Sequence, residues 1–339
     1  MPDERVRGQK PQESGAPAAE RRYRSPTIGE IFRRAGGIEV PEAMKEAARK
    51  VEGGKSGVWA LTMVFEGLDP ATGWRYNGLD PATYNVDEVY NEVINSLKGA
   101  SYILEDIQPF INFNADALKS NENSGVIISA MINNIIKEGD KVEFDSSGLL
   151  LKYVGYKLPC GALTINGSAG YSAGDSMSGG TLTINGNAGG GTGHSMSGGI
   201  LTINGNVGNW PGHLMSSGTL TINGNAGNQA GHGMRGGTLT INGNAGEAAG
   251  YRMSGGILTI HGNAGIEAGD SMSGGILTIH GNASDRAGYC MRGGTLTIKG
   301  DAGNFVGLYT NQSTGTIVIE GWAKSLAKSR DRGGKLFAN

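Results

Sequence analysis

The residues best suited to chemistry are three histidines at a fixed interval. His194, His213 and His232 recur every 19 residues, and Asp175 stands one interval earlier. Imidazole and carboxylate are zinc ligands, but a usable site needs three or four of them converging, with a second set of partners orienting them. The interval continues through Tyr251 and Asp270, so the position accepts unrelated side chains. We read it as an exposed column and assign no metal; His194, His213 and His232 are the candidates if one binds. His261 and His280 form a shorter pair that ranks below them. Cys160 and Cys290 are the only cysteines, and neither lies in a CxxC pair. Gly53-Gly54-Lys55-Ser56 resembles the end of a phosphate loop, but that motif needs a glycine where Arg49 stands, and a preceding strand. Neither the repeats nor residues 26–123 display a catalytic set, so we expect no catalytic residue and no cofactor.

The 19-residue interval is the main feature of the chain. Ile165, Ile184, Ile203, Ile222, Ile241, Ile260, Ile279 and Ile298 keep it without a slip, as do the methionines from Met177 to Met291. A unit reads GGTLTINGNAGxxAGxxM. In Thr181-Leu182-Thr183-Ile184 strand alternation sends Leu and Ile inward and both Thr outward. Gly186-Asn187 reads as a corner at positive φ, which Gly and Asn tolerate. Gly189 and Gly193 read as further turns, with Gly224, Gly227 and Gly231 their counterparts two coils on. Ala188 suits a narrow interior, and Met196 fills irregular space. A unit this short cannot bury its own apolar face; stacked on its neighbours it continues one core. The fold class expected is mainly β: a right-handed parallel β-solenoid over residues 148–320, with a small mixed α/β N-terminal region and helical end caps. In such a fold Cys160 and Cys290 lie about 33 Å apart at ~4.8 Å per coil, too far for a disulfide.

Sixty glycines and 6% aromatic residues agree with a repeat, and collagen is excluded because glycine does not fall at every third position. The formal charge of −2 argues against a nucleic-acid partner. No apolar run is long enough for a membrane span and no secretory signal is visible, so we expect a cytoplasmic protein. Residues 1–25 read as a disordered arm and 26–123 as the mixed region. Within it Pro41 and Gly53 bracket one helix, Gly57–Phe65 looks like a strand, GLDPAT occurs twice as a turn, and Asn85 caps a helix through Val86, Val89, Tyr90, Val93, Ile94 and Leu97. Residues 124–147 are expected to cap the first end. Ser124 starts a helix through Ile128, Met131, Ile132, Ile135 and Ile136, Gly139 ends it, and Lys141–Phe144 begins a strand. Residues 321–339 are expected as the other cap and a tail, with Trp322 to Ser329 covering the last coil. The repeat arrives two residues late at Gly315–Ile319.

Within each coil the glycines form GxxGxxxG, as in Gly186, Gly189 and Gly193, followed by Met and a Gly pair; Ser284 replaces the middle glycine once. This pattern, over about Ser129 to Glu320, resembles the GXGXG-type β-helix family. It is similar to the glutamate synthase C-terminal β-helix domain and to the β-helix subunit of formylmethanofuran dehydrogenase. Residues 132–169 look most like the start of stand-alone archaeal glutamate synthase domains. The resemblance implies a structural role, docking and separating catalytic domains. It transfers no catalytic residue: the iron–sulfur cysteines and the amidotransferase nucleophile of glutamate synthase have no counterpart here.

One outward column, Thr183, Thr202, Thr221, Thr240, Thr259, Thr278 and Thr297, is unbroken; beside it Thr and Ile alternate irregularly from Thr181 to Thr295. Residues 161–320 contain only five Lys/Arg and seven Asp/Glu, so this face is nearly uncharged. Cross-strand Thr contacts stabilise a sheet, and a flat uncharged face also favours association. Ice binding uses paired Thr columns, but Ile interrupts the second column and no secretion signal appears. The Asn187, Asn206, Asn225, Asn244, Asn263, Asn282 column reads as a stacked amide ladder. We expect a non-catalytic scaffold or accessory subunit of a larger enzyme assembly, with protein partner subunits or copies of itself. The alternative is a self-assembling structural or surface-binding protein that uses the Thr face.

Overall fold

The computed structural model describes residues 86–97, 102–120, 124–146, 148–310, 314–324 and 335–338. The arm over 1–25, the Pro41–Gly53 helix, the 57–65 strand and both GLDPAT turns lie outside them.

Among the described residues eleven strands form one parallel sheet whose spatial order is the sequence order. They are β1 (Lys141–Asp145), β2 (Ala162–Asn166), β3 (Thr181–Ile184), β4 (Ser197–Ile203), β5 (Ser217–Ile222), β6 (Arg235–Ile241), β7 (Ser254–Ile260), β8 (Ser273–Ile279), β9 (Gly293–Ile298), β10 (Thr316–Ile319) and β11 (Lys335–Ala338). Each strand pairs with the next at an offset of 19, as Leu182 with Leu201 and Leu201 with Leu220. The offset is 21 at two places, Phe144 with Ile165 and Ile298 with Ile319. The late arrival of the last repeat is thus absorbed in a longer turn while the strand register holds. A second ladder of single bridges joins Ala188, Val207, Ala226, Ala245, Ala264, Ala283, Ala302 and Ala323. This is a parallel β-solenoid.

Its core is the inward column set read from the alternation. Leu182, Ile184, Met196, Leu201, Ile203 and Met215 are all fully buried, and the pattern repeats through Ile298. Burial of apolar surface at roughly 25 cal/mol per Å² drives the stacking. No coil could capture that alone.

The turn glycines differ from expectation. Neither Gly186 nor Asn187 has a positive φ. Gly186 is needed for close approach instead: a side-chain carbon there would lie 2.6 Å from the Gly167 carbonyl oxygen. Gly189, Gly224 and Gly227 are held close to the preceding coil's backbone in the same way. Gly193 and Gly231 do have left-handed φ, 70° each. Among the described residues sixteen further left-handed positions carry side chains, and they fall in two columns at the 19-residue interval. One includes Tyr153, Ser172, Trp210, Gln229 and Phe305; the other Lys157, Ser176, Ser195, Leu214, Arg252, Ser271, Cys290 and Tyr309.

Ahead of the sheet the described residues form four helices and a short 3₁₀ turn (Leu104–Asp106): α1 (Val86–Ser96), α2 (Ile107–Phe113), α3 (Ala115–Ser120) and α4 (Ser124–Asn133). The described part of residues 26–123 is helical. In α1 the buried side chains are Val89, Val93 and Leu97, as its spacing requires. The α4 helix ends at Asn133 rather than Gly139, and Ile135 and Ile136 follow it in a turn. Residues 124–132 are completely enclosed. Gly125 lies against the Lys152 carbonyl, and Ser129 Oγ accepts from the Gly155 N–H at 2.8 Å while Asn133 donates to the Tyr156 carbonyl at 2.8 Å. This helix covers the first coil, and α1 is tied on through Asp87, which pairs with Lys157 and accepts from Tyr156 Oη. At the far end Trp322 is 63% exposed, residues 325–329 of the expected cap lie outside the described residues, and β11 extends the sheet beyond β10. Among the described residues no helix is long and apolar enough to cross a membrane.

Candidate functional site

The outward face of the sheet is a regular surface. The aligned register of β2 to β9 places Thr164, Thr183, Thr202, Thr221, Thr240, Thr259, Thr278 and Thr297 in one column. Their side chains are half-buried against one another. The adjacent column carries Ile200, Ile257 and Ile276 at 49%, 43% and 45% exposure, large for isoleucine in a folded chain.

This face is edged by a side-chain amide ladder. Asn185, Asn204, Asn223 and Asn242 each donate Nδ2 to the Oδ1 of the preceding coil's asparagine at 2.7–2.8 Å, and Asn166 donates to Glu143. His261 and His280 continue the column with rings 4.6 Å apart. The Asn187 column works differently. Asn187 Oδ1 accepts the backbone N–H of Asn206 at 2.7 Å, and so on to Asn282 and Asp301; only Asn206, Asn225 and Asn244 add long amide–amide contacts of 3.3 Å. The true amide ladder is therefore two residues earlier than expected, although the same period marked it.

The histidine column lies in the turn segments between the strands. Its rings are 5.1 Å apart between His194 and His213, tilted by 45°, and 4.7 Å between His213 and His232, nearly parallel at 29°. The Tyr251 ring follows at 5.0 Å. Rings that stack do not converge, and among the described residues no group of three or more His, Cys, Asp or Glu is arranged to hold a metal ion. Asp175 is buried, and its Oδ2 lies 3.1 Å from His194 Nδ1. That hydrogen bond raises the His194 pKa above the usual imidazole value. Burial, then the neighbouring imidazoles, push His213 down to about 4, and burial also lowers His232. The structure adds one residue the sequence reading missed: Ser195 Oγ lies 3.4 Å from His194 Nε2. No spacing signal marks it, because the column mixes Ser with Lys, Leu, Gly, Arg, Cys and Tyr.

Both cysteines are free; Cys160 Sγ donates to the Ile136 carbonyl, and burial raises the Cys290 thiol. A family model described as the GXGXG motif matches residues 122–320, more than half of the chain. No curated protein matches the sequence.

Proposed function

This chain belongs to the GXGXG motif family, and from that premise we propose that it is a non-catalytic scaffold subunit or domain of a larger enzyme assembly in the cytoplasm. The family and the β-solenoid fit such a part. The finer reading is an assembly resembling glutamate synthase or formylmethanofuran dehydrogenase, in which the solenoid docks and separates catalytic domains.

The observation that carries this reading is the exposed isoleucine and threonine face. Three half-exposed isoleucines in one column, with an uninterrupted Thr column beside them, form a rigid surface without charge. Flat surfaces of this kind gain from being covered, and charged residues are depleted at the centres of interfaces. The test is affinity purification of the full chain from its native host, beside an Ile257→Lys variant. A stoichiometric catalytic subunit that is retained by the original chain and lost with the variant supports the reading. A clean monomer from both speaks against it.

The second reading, self-assembly, draws on the Thr face and on the strand edge at β11, which pairs only with β10 among the described residues. Light scattering that grows with concentration and is reduced by Thr221→Lys would favour it over the first.

A further inference from the structure

Asp175, His194 and Ser195 form a connected relay on the outer corner of two adjacent coils. Asp175 Oδ2 is 3.1 Å from His194 Nδ1, and His194 Nε2 is 3.4 Å from Ser195 Oγ. Asp175 is itself buried, and its other oxygen accepts from Ser176 Oγ at 2.6 Å. A carboxylate that takes the Nδ1–H selects the tautomer whose Nε2 is a free base, and that nitrogen faces the hydroxyl. Catalytic hydrogen bonds are often long before substrate binds.

The repeat supplies its own controls. Ser176, Ser195 and Ser271 occupy the same column with φ of 57°, 53° and 55°. Ser176 and Ser271 donate to the carboxylate that precedes each of them in sequence. Of these three, Ser195 alone has an imidazole in that place. Backbone strain is thus common to the column, and the base is particular to one coil.

We propose that Ser195 is an activated hydroxyl that accepts acyl groups from small activated esters, with His194 as its base and Asp175 as the residue that orients His194. In the step, Ser195 Oγ bonds to the ester carbonyl carbon and its proton passes to His194 Nε2. The ester C–O bond breaks, and the leaving oxygen departs with its electron pair and takes up that proton. Water then hydrolyses the acyl-serine by the same route. The N–H groups of Ser195 and Met196 already donate to the His213 and Gly193 carbonyls, at 2.8 and 3.4 Å, so no oxyanion hole is preformed. The substrate must therefore carry a good leaving group, and acylation by such an ester outpaces hydrolysis of the less activated acyl-serine. The scaffold role is non-catalytic toward the assembly's own reaction; this acyl transfer is a separate activity and needs no partner.

The test treats the full chain with p-nitrophenyl acetate and reads the intact mass, the modified peptide and the acylation rate. One acetyl group on Ser195 is expected, absent in Ser195→Ala and retained in Ser271→Ala. His194→Tyr, which copies the residue at Tyr251, should slow acylation at least about a hundredfold, within the range of general-base catalysis. Asp175→Asn should slow it by about tenfold or more. Asp175 and His213 flank His194 on either side, and the rate should rise with pH as His194 loses its proton. The Ser195 column holds Ser, Leu, Arg, Cys and Tyr and the His194 column Asp, His and Tyr, so both positions tolerate exchange, and a thermal melt of each variant checks that it folds. No acetyl on Ser195, equal labelling of Ser271, or an unchanged rate in His194→Tyr overturns the proposal.

Discussion

A side-chain carbon on Gly224 would stand 2.6 Å from the carbonyl oxygen of Gly205, its counterpart one coil earlier. The two coils approach too closely there for anything but hydrogen. Gly224→Ala should therefore force the coils apart and destabilise the protein by about 1–3 kcal/mol, the usual cost of overpacking. The urea midpoint should fall with Gly224→Ala and stay nearly unchanged with Thr221→Ser on the outward face.

Met215 is completely buried between its neighbours in the methionine column. Met215→Ala leaves a cavity that flanking coils cannot close without breaking register, and should cost about 2–5 kcal/mol. Val207→Ala should cost clearly less, since Ala188 and Ala226 already hold the equivalent positions. Paired denaturant curves give the comparison.

The histidine column should make stability depend on pH in two opposing ways. His213 has a folded pKa of about 4, below its unfolded value. The unfolded chain then binds more protons, and stability is lost as pH falls from the imidazole range toward 4. His194 is raised by Asp175, so its contribution is complete below the unfolded pKa and disappears as pH rises through the folded one. His213→Tyr should flatten the acid side of the profile only. Thermal melts against pH, with NMR titration of each imidazole, check both signs.

The α4 helix covers core that would otherwise meet water. Ile128 on that helix is fully buried, so Ile128→Asp should lift the helix from the first coil and expose a strand edge with its apolar interior. Concentration-dependent association, seen by light scattering, should follow. Asp87→Asn, which weakens the tie of α1 to Lys157 and Tyr156 without touching α4, should produce a smaller effect.

Much of this was legible in the residues. The alternation of Leu182 and Ile184 with Thr181 and Thr183 states which side chains enter the core, and the structure buries those and no others in the strand. The buried face of α1 also followed from apolar spacing. The turns were harder to read. Glycine at Gly186 suggested a left-handed corner, whereas the left-handed residues include Ser195 and Trp210. A local rule about φ gave the wrong cause, because what excludes a side chain at Gly186 is the backbone of another coil.

Strand parity and the unbroken 19-residue interval determined by themselves that this chain is a parallel solenoid with a Leu, Ile and Met interior and a Thr face. Both are properties of covalent geometry and repeat along the chain wherever it lies. The folded structure alone decided the exposure of Ile200, Ile257 and Ile276, the stacking of His213 on His232, and the meeting of Ser195 with an imidazole backed by Asp175. Those relations depend on distances and tilts between neighbouring coils. A repeat in the sequence aligns the coils without specifying how their side chains turn.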